Sequence, residues 1–198
     1  MGKRLFDIFS SLGLLGVLWP LLLVVAALVW IESGRPILFS QLRIGRRFRS
    51  FHIWKFRSMR PDPLGPRITV RGDARVTRVG KFIRAAKIDE LPQLWNVLRG
   101  DMSMVGPRPE LPEYVELYRH RYRNVLELRP GVTDLASLKF RNEEAILAEA
   151  ADPQREYLDR LLPSKLDLAE EYLRRRSPLL DSYILLRTLL VPWGKSRT

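Results

Sequence analysis

One long apolar run near the N-terminus constrains the fold of this chain more than any other feature. It extends over 24 residues, from Ile8 to Ile31, and contains no charged side chain. As an α-helix rising about 1.5 Å per residue, it could cover the roughly 30 Å hydrocarbon layer of a bilayer. A cleaved signal peptide would be shorter and would end in a small-residue cleavage site, which this run lacks. We therefore expect a helix embedded in a membrane.

Pro20 lies in the middle of the run, and the charges that flank the run are positive on both sides. Lys3 and Arg4 precede it, and four arginines follow it between Arg35 and Arg47. A proline bends or breaks a helix, and Lys and Arg flanks prefer the cytoplasmic side. A kinked span satisfies one flank, whereas a re-entrant hairpin that turns back at the proline satisfies both. We favour the re-entrant, helix-break-helix arrangement.

This interpretation divides the chain into a re-entrant membrane anchor, residues 1–33, and a compact domain at the membrane surface, residues 34–198. Asp7 lies just before the apolar run. We expect it at the level of the lipid headgroups, paired with Lys3 or Arg4 one helical turn away.

Positive charge is concentrated directly after the apolar run. Between Glu32 and Lys87 there are 15 Lys or Arg and three Asp or Glu, and this difference equals the net charge of +12 of all 198 residues. Such a block favours an anionic partner, either nucleic acid, lipid headgroups or a phosphorylated small molecule, and the alternative is an ordinary solvated surface. The chain has no cysteine and two histidines, which excludes thiolate sites and disfavours a His-rich zinc site.

The rest of the sequence predicts a mainly α-helical fold with a small β component. Extended segments are expected at Pro36–Ser40 and Phe51–Met59, on either side of a basic turn. Thr77–Ala86 has apolar residues at helical spacing with cations between them, which predicts an amphipathic helix lying on the membrane. Further helices are predicted over Leu91–Leu98, closed by Gly100, over Glu110–Leu126, over Asn142–Arg176 with a break near Pro163, and over Leu179–Val191.

Two adjacent carboxylates, Asp89 and Glu90, stand in the most distinctive segment, KIDELPQLWNVLRGDMSMVGPRP. Helix capping alone would explain an acidic pair just before Pro92. The other interpretation is a reactive pair. Arg84 and Lys87 are close in sequence, and such cations lower the pKa of a carboxyl group and keep it ionised as a nucleophile or metal ligand.

The same segment ends in a stiff turn, Pro107-Arg108-Pro109, and a further acid, Asp101, lies between the pair and the turn. The planar guanidinium of arginine offers two parallel donors that match phosphate, although the turn alone could be ordinary loop chemistry. Together with the basic block and the apolar anchor, the acid pair favours chemistry on a phosphorylated substrate at a membrane surface.

Three segments carry a resemblance to a known family: GRPILFSQLRIGRRFRSFHIWKFRSM, DARVTRVGKFIRAAKIDELPQLWNVLRGDMSMVGPRP and LRPGVTDLAS. They closely resemble the bacterial sugar transferases, the monotopic polyprenyl-phosphate phosphoglycosyl transferases that start glycan assembly. The resemblance covers nearly the whole chain and is densest from Gly34 to Pro109. It implies an enzyme at the cytoplasmic face of the bacterial inner membrane that transfers a phospho-sugar from a UDP-sugar to undecaprenyl phosphate and releases UMP, in exopolysaccharide or lipopolysaccharide biosynthesis.

The resemblance also implies roles for individual residues. Asp89 is similar to the family's covalent nucleophile, which also contacts the cofactor Mg²⁺, and Glu90 resembles the second member of the dyad, which supports the metal or handles protons. Arg108 matches the family's phosphate-binding arginine. Lys55 and Arg84 match other basic residues close to the active site.

Two departures from the family pattern affect these expectations. Pro20 matches the proline at which the family's membrane helix breaks, but Trp19 stands before it, where relatives often have Ser. After Arg129-Pro130-Gly131 the family commonly has Thr-Gly-x-Ala-Gln, whereas this chain has Asp134 in place of the Gly and Ser137 in place of the Gln. We expect this region to shape the sugar or nucleotide site.

The expected partners are a UDP-sugar, undecaprenyl phosphate and anionic membrane lipids, and not nucleic acid. The alternative function is a non-catalytic, membrane-anchored basic scaffold or binding module, which would bind anions in a salt-sensitive way and would not need the acid pair. The sugar, the glycan pathway and the oligomeric state, a homodimer among the choices, stay open at this stage.

Overall fold

The computed structural model describes residues 2–62, 65–66 and 68–190. This part of the chain is mainly α-helical with two small sheets of two strands each, which confirms the predicted balance of helix and strand. The elements follow in the order α1 Gly2–Ser33, β1 Leu38–Ile44, β2 Ser50–Phe56, α2 Arg78–Ala85, α3 Gln93–Arg99, β3 Ser103–Val105, α4 Pro112–Leu117, α5 Arg119–Val125, β4 Gly131–Thr133, α6 Leu135–Lys139, α7 Glu143–Glu149, α8 Pro153–Glu156, α9 Leu162–Arg175 and α10 Pro178–Leu190.

Helix α1 contains the whole apolar run, and most of its side chains are exposed. Within the described part of the chain it is the one helix that is long and apolar enough to cross a membrane. It passes through Pro20 as a single helix, rather than as two helices separated by non-helical residues. A proline removes one backbone hydrogen bond, and it kinks a helix rather than ending it where the bonds on either side are kept.

The first turns of α1 are attached to the domain by polar contacts. The Arg4 guanidinium donates to the carbonyl oxygens of Val97 and Leu98 at the end of α3, at 2.5 and 2.8 Å. Asp7 is 1% exposed, and its Oδ1 accepts from Ser103 Oγ and the Met104 N–H at 2.9 and 3.0 Å. The expected headgroup position of Asp7 is therefore wrong, because its carboxylate is enclosed between α1 and β3.

The expected partners of Asp7 also have other contacts. Lys3 Nζ lies 2.5 Å from Asp181 Oδ2 on α10, and Arg4 is occupied by α3. The sequence predicted a pairing one turn apart within α1, but the long side chains of Lys3 and Arg4 instead contact elements that are distant in sequence.

The last turns of α1 are attached to the same domain. Val25 and Val29 pack with Phe56 and Ile83 in one buried cluster. Beyond them, the two carboxylate oxygens of Glu32 accept from the first N–H groups of α2, at 2.8 and 2.9 Å. Both ends of α1 thus contact one domain, while the side chains around its middle stay exposed.

The apolar stripe predicted for α2 divides between two environments. Ile83 is fully buried against α1, and Val79 is partly buried in the same cluster, whereas Phe82 on the neighbouring position is 66% exposed. Part of the stripe therefore packs inside the protein, and Phe82 faces outward together with Arg78 and Lys81.

Strands β1 and β2 form an antiparallel hairpin in which Leu38 pairs with Phe56 and Ile44 with Ser50. This confirms the predicted pair of extended segments, although β1 begins and ends later than Pro36–Ser40. The buried Asn96 of α3 holds the outer edge of β2, since its side chain accepts from the Trp54 N–H at 3.2 Å and donates to the His52 carbonyl at 2.7 Å. This contact fixes α3, and the acidic turn before it, beside β2.

The second sheet supports the Pro-Arg-Pro turn. β3 and β4 are parallel, and the chain leaves β3 through Gly106 directly into Pro107. Gly106 faces Gly131 so closely that a Cβ on Gly131 would lie 2.1 Å from the Gly106 nitrogen. The Gly131 N–H also donates to the Pro107 carbonyl at 3.0 Å. Only glycines allow the two backbones to approach in this way.

The C-terminal half is more interrupted than the periodicity predicts. Residues 110–126 form two short helices, α4 and α5, that meet at Tyr118. Residues 142–176 form three helices and a π-helical turn, Tyr157–Leu161, which ends just before Pro163. Pro163 has no N–H to donate, and it directly follows the π-helical turn inside an unbroken run of helical residues from Pro153 to Arg175, so the helix continues past this proline rather than breaking there. α10 confirms the predicted C-terminal helix up to Leu190, and Val191 lies outside the described residues.

Candidate active site

The acidic pair stands on a short 3₁₀ turn, Ile88–Glu90, that joins α2 to α3. Lys87, before the turn, has a positive φ of 52°, which swings the chain from one helix to the next. No side-chain capping bond is made at the start of this turn or at the start of α3, where Pro92 is the capping residue. Capping therefore does not explain the two carboxylates.

Glu90 is bound by two cations that come from different elements. Its Oε1 lies 2.7 Å from Lys55 Nζ on β2 and 3.0 Å from Arg108 Nη2 on the Pro-Arg-Pro turn. Burial opposes ionisation of Glu90, but Lys55, Arg108 and Lys87 together outweigh that effect and hold the pKa of its carboxyl group well below the ordinary value. Glu90 is thus an ionised carboxylate that pairs with two cations through one oxygen.

Asp89 has the opposite character. It is 5% exposed, and its Oδ1 has no hydrogen-bond partner within the described part of the chain. Burial and the neighbouring negative charge of Glu90 raise the pKa of Asp89 to about 6, against the opposing effect of Lys55, Arg84 and Lys87. One oxygen of Asp89 is therefore left without a partner among the described residues, and burial makes this carboxyl group harder to ionise than an exposed one.

The structure brings the sequence-predicted residues together to different degrees. Lys55 and Arg108 lie directly on the acid pair. Arg84 is close enough for its charge to lower the pKa of Asp89. Its guanidinium, however, pairs with Glu144 on α7 and approaches Met59 Sδ at 3.7 Å. Arg84 thus borders the acid pair and faces the loop after β2.

Asp101, the other acid in the distinctive segment, does not join the site. Its Oδ2 lies 3.5 Å from Arg99 Nε, and it is partly exposed at the end of α3. The two acidic positions separated by one helix therefore have different surroundings.

Asp134 is a site residue to which the sequence analysis assigned no role of its own. Its Oδ2 accepts from the Arg108 backbone N–H at 3.2 Å, and its Oδ1 accepts from the Ser137 N–H at 2.6 Å. The carboxylate therefore caps α6 and holds the Pro-Arg-Pro turn at the same time. An Asp directly before a short helical segment is a capping signal, but nothing in the sequence places that cap beside Arg108.

Glu110 supports the turn from its other side. It is buried and accepts from the Tyr157 hydroxyl at 2.7 Å, and it pairs with Arg43 Nη1 of β1 at 3.3 Å. Burial, followed by the charge of Glu110, raises the pKa of Tyr157 well above its ordinary value, so the hydroxyl stays a donor. Glu110 and Asp134 together fix both ends of the turn that carries Arg108.

The described residues contain no group of three or more His, Asp or Glu side chains that could enclose a metal ion. Mg²⁺, however, is commonly held by one or two carboxylates together with phosphate oxygens and water. The unpartnered Oδ1 of Asp89 is a ligand of that kind, and the ion pairs of Glu90 leave that residue less available. The donor set therefore fits an ion that a phosphorylated substrate would bring and complete.

This arrangement suits attack on phosphorus. An unpartnered carboxylate oxygen can act as a nucleophile, and the adjacent Lys55 and Arg108 can offset the negative charge of a diphosphate as it approaches. Glu90 holds both cations beside Asp89 without occupying the oxygen that would react.

The chain matches one known protein family over nearly its whole length. The bacterial sugar transferase family model matches residues 1–195. An exopolysaccharide production protein PSS of Rhizobium leguminosarum bv. phaseoli is 45% identical over 150 residues, which cover 69% of this chain and 73% of that protein. An undecaprenyl-phosphate glucose phosphotransferase of Komagataeibacter xylinus is 42% identical over 200 residues, which cover 94% of this chain and 35% of that protein.

A UDP-glucose:undecaprenyl-phosphate glucose-1-phosphate transferase of Caulobacter vibrioides is 46% identical over 142 residues, covering 69% of this chain and 53% of that protein. The matches therefore cover most of the Rhizobium relative and about a third to a half of the other two. By the extent of the family match and by these identities, the chain belongs to the bacterial sugar transferase family.

Proposed function

We propose that the protein is a membrane-bound sugar-1-phosphate transferase that uses a UDP-sugar as donor and undecaprenyl phosphate as acceptor. The observation that carries the proposal is the buried oxygen of Asp89, which has no partner among the described residues and lies beside the Lys55–Glu90–Arg108 ion pairs. The printed names of the Komagataeibacter and Caulobacter relatives, which specify undecaprenyl phosphate and, in the second, UDP-glucose, support the choice of acceptor and donor.

The reaction has two displacement steps in this proposal. In the first, Asp89 Oδ1 attacks the phosphorus that bears the sugar. The new bond joins Asp89 to that phosphorus, the bridging bond of the diphosphate breaks, and UMP leaves with its electron pair. In the second, a phosphate oxygen of the acceptor attacks the same phosphorus, the aspartyl–phosphorus bond breaks, and the ionised Asp89 returns with the polyprenyl diphosphate sugar as product.

The other residues have supporting roles in these steps. Arg108 holds a phosphate oxygen of the donor through the guanidinium that faces Glu90, and Lys55 balances the negative charge that accumulates on the bridging oxygen. Glu90 positions the two cations. Arg84, at the edge of the pair, favours the ionised form of Asp89.

Mg²⁺ would be held by Asp89 and the donor phosphates, and when bound it would neutralise diphosphate charge and stabilise the leaving phosphate. Its requirement is testable by chelation, since EDTA is expected to stop turnover and added Mg²⁺ to restore it.

A re-entrant topology for α1 is part of the proposal. A helix that crosses a bilayer can contact a domain on one side of the membrane only near one of its ends. In contrast, α1 contacts the domain through Asp7 near its start and through Glu32 near its end. The exposed middle of α1 would enter the lipid and return to the same, cytoplasmic, face. This placement would hold the acid pair near the headgroup plane, where the acceptor phosphate lies while its polyprenyl chain stays in lipid.

The direct test is UMP release from a UDP-sugar by the full-length protein in mixed micelles with undecaprenyl phosphate. Asp89→Asn removes the nucleophile with little change in shape, and activity is expected to fall below detection. Asp101→Asn is the matched control, because Asp101 belongs to the same segment and pairs only with Arg99 in the described structure. Full activity in Asp89→Asn would contradict the nucleophile assignment and favour the non-catalytic scaffold. A panel of UDP-sugars in the same assay identifies the donor.

A further inference from the structure

A cleft of about 350 Å³ opens at the C-terminal end of α1, apart from the Glu90 ion pairs. This volume is at the lower end of the range of about 300–1,000 Å³ that is usual for small-molecule sites. Its lining comes from the last turn of α1, the loop after β2 and the start of α2, and includes Glu32, Ser33, Arg57, Met59, Arg60 and Thr77.

Two arginines give the cleft its positive charge. Arg57 holds the end of α1, donating through Nη2 to the Ser33 and Gly34 carbonyls, the latter at 2.6 Å, while its buried Nε has no partner among the described residues. Arg60 is exposed, and no side-chain partner is seen for it in the same part of the chain. Arg60 therefore offers its guanidinium donors to the cleft, and Arg57 adds positive charge to its wall.

The acidic residue of the lining does not cancel this charge. Both carboxylate oxygens of Glu32 are occupied by the N–H groups of Arg78 and Val79, which open α2. Glu32 is thus directed at α2, and the free donors of the cleft belong to the arginines.

The position of the cleft indicates which kind of anion would bind in it. Trp30 and Ile31, immediately before Glu32, are more than half exposed on the membrane helix. An anion in the cleft would therefore lie at the end of an apolar helix, with lipid-facing side chains directly beside it. A phosphate that carries a long hydrocarbon chain satisfies both surroundings, since arginines bind the headgroup and the chain follows the apolar surface.

The cleft also borders the active site. Met59, in its wall, has its Sδ 3.7 Å from Arg84 Nη1, and Arg84 is one of the cations whose charge acts on Asp89. We propose that Arg57 and Arg60 form a binding site for a lipid phosphate, from which the hydrocarbon chain runs along the end of α1. The phosphate can belong to the polyprenyl phosphate acceptor, in which case the inference rests on the proposed function, or to a bilayer phospholipid.

Arg60→Glu tests the site, because Arg60 is exposed and holds no element in place, whereas Arg57 ties down the end of α1. Arg123→Glu is the matched control, since Arg123 is also an exposed arginine, on α5, and the change of charge is the same. Native mass spectrometry of the full-length protein in detergent would measure retention of undecaprenyl phosphate and, separately, of dioleoyl phosphatidylglycerol. Loss of one charge-assisted contact is expected to lower retention of the bound lipid about tenfold in Arg60→Glu, and Arg60→Lys should recover part of it.

The two sources give different results. If the acceptor occupies the cleft, retention of undecaprenyl phosphate falls and its KM in the UMP assay rises by a similar factor. If a bilayer phospholipid occupies it, only retention of phosphatidylglycerol falls. Unchanged retention of both lipids, or an equal loss in Arg123→Glu, would overturn the inference. A wild-type protein that releases no UMP from any donor would refute the proposed function, and the retention measurement would still decide the cleft.

Discussion

Arg108 Nη2 lies 3.0 Å from Glu90 Oε1, the same oxygen that Lys55 Nζ approaches at 2.7 Å. One carboxylate oxygen thus fixes two cations from elements that are far apart in sequence, and neither cation forms a hydrogen bond to Asp89 in the described structure. The two carboxylates of the acid pair therefore differ in their contacts. Glu90 pairs with both cations, whereas Asp89 Oδ1 has no hydrogen-bond partner among the described residues and is the nucleophile in the proposed function.

This division predicts that Glu90→Gln is harmful to both stability and activity. It leaves Lys55 and Arg108 without their shared anion, and breaking a buried pair on one side costs several kcal/mol. The Arg108 side chain is 35% exposed, so solvent screening reduces the expected loss of unfolding free energy to about 1–3 kcal/mol. UMP release should fall by about 100-fold or more, because both cations lose their fixed positions.

Urea denaturation and the UMP assay measure the two effects. Glu116→Gln is the control, since Glu116 pairs with Arg119 on an exposed surface and its loss should change neither quantity measurably. A Glu90→Gln protein with wild-type activity would show that the ion pairs do not position the cations for catalysis.

Asp89→Asn is predicted to stabilise the folded protein while abolishing turnover. The pKa of Asp89 is raised from 3.8 to about 6 in the fold, so the folded state holds its proton more tightly than the unfolded chain does. Ionisation therefore costs folding free energy as pH rises from about 4 to 6, on the order of 2–3 kcal/mol when complete. The neutral Asn does not have this cost.

The expected difference between Asp89→Asn and wild type is thus greatest at pH 8 and disappears near pH 4. Urea denaturation of both proteins across this range tests the sign. A mutant that is less stable than wild type at pH 8 would show that the protein pairs the ionised Asp89 more effectively than its free Oδ1 indicates.

Local patterns in the sequence predicted much of the fold, and long-range contacts account for most of what they missed. The β1–β2 hairpin, the end of α3 at Gly100 and the C-terminal helix follow from periodicity and turn residues. The burial of Asp7 does not, because its partners on β3 are nearly a hundred residues away. The sequence also placed Asp89, Glu90 and Arg108 in one segment, but it could not say that Arg108 would pair with Glu90, which depends on how β3 directs the turn.

Asp134 gives a prediction that separates helix capping from active-site positioning. Asp134→Ala removes the cap of α6 and the acceptor for the Arg108 N–H, so we expect a loss of about 1 kcal/mol in unfolding free energy and a roughly tenfold fall in UMP release through misplacement of the arginine. Asp134→Asn, which keeps one side-chain acceptor, should recover part of the activity.

Asp152→Ala is the matched control for this prediction. Asp152 caps α8 through the N–H groups of Gln154 and Arg155, on an exposed surface. Its loss should cost a similar amount of stability and leave UMP release unchanged. If both variants lost activity equally, the effect of Asp134 would be one of stability alone.

The topology of α1 can be tested with single cysteines, because the natural chain contains none. Gly2→Cys reports the start of α1, Arg123→Cys reports the domain, and Val17→Cys reports the middle of the helix, where Val17 is 77% exposed. In a re-entrant arrangement, a membrane-impermeant maleimide should label Gly2→Cys and Arg123→Cys from the same side of inverted vesicles. It should label Val17→Cys slowly, because that thiol lies in lipid.

The contacts of Asp7 with β3 favour this result, since moving the N-terminus across the bilayer would take a buried carboxylate away from its donors. Labelling of Gly2→Cys and Arg123→Cys from opposite sides would establish a span, and the contacts of α1 with the domain would then have to break in the membrane.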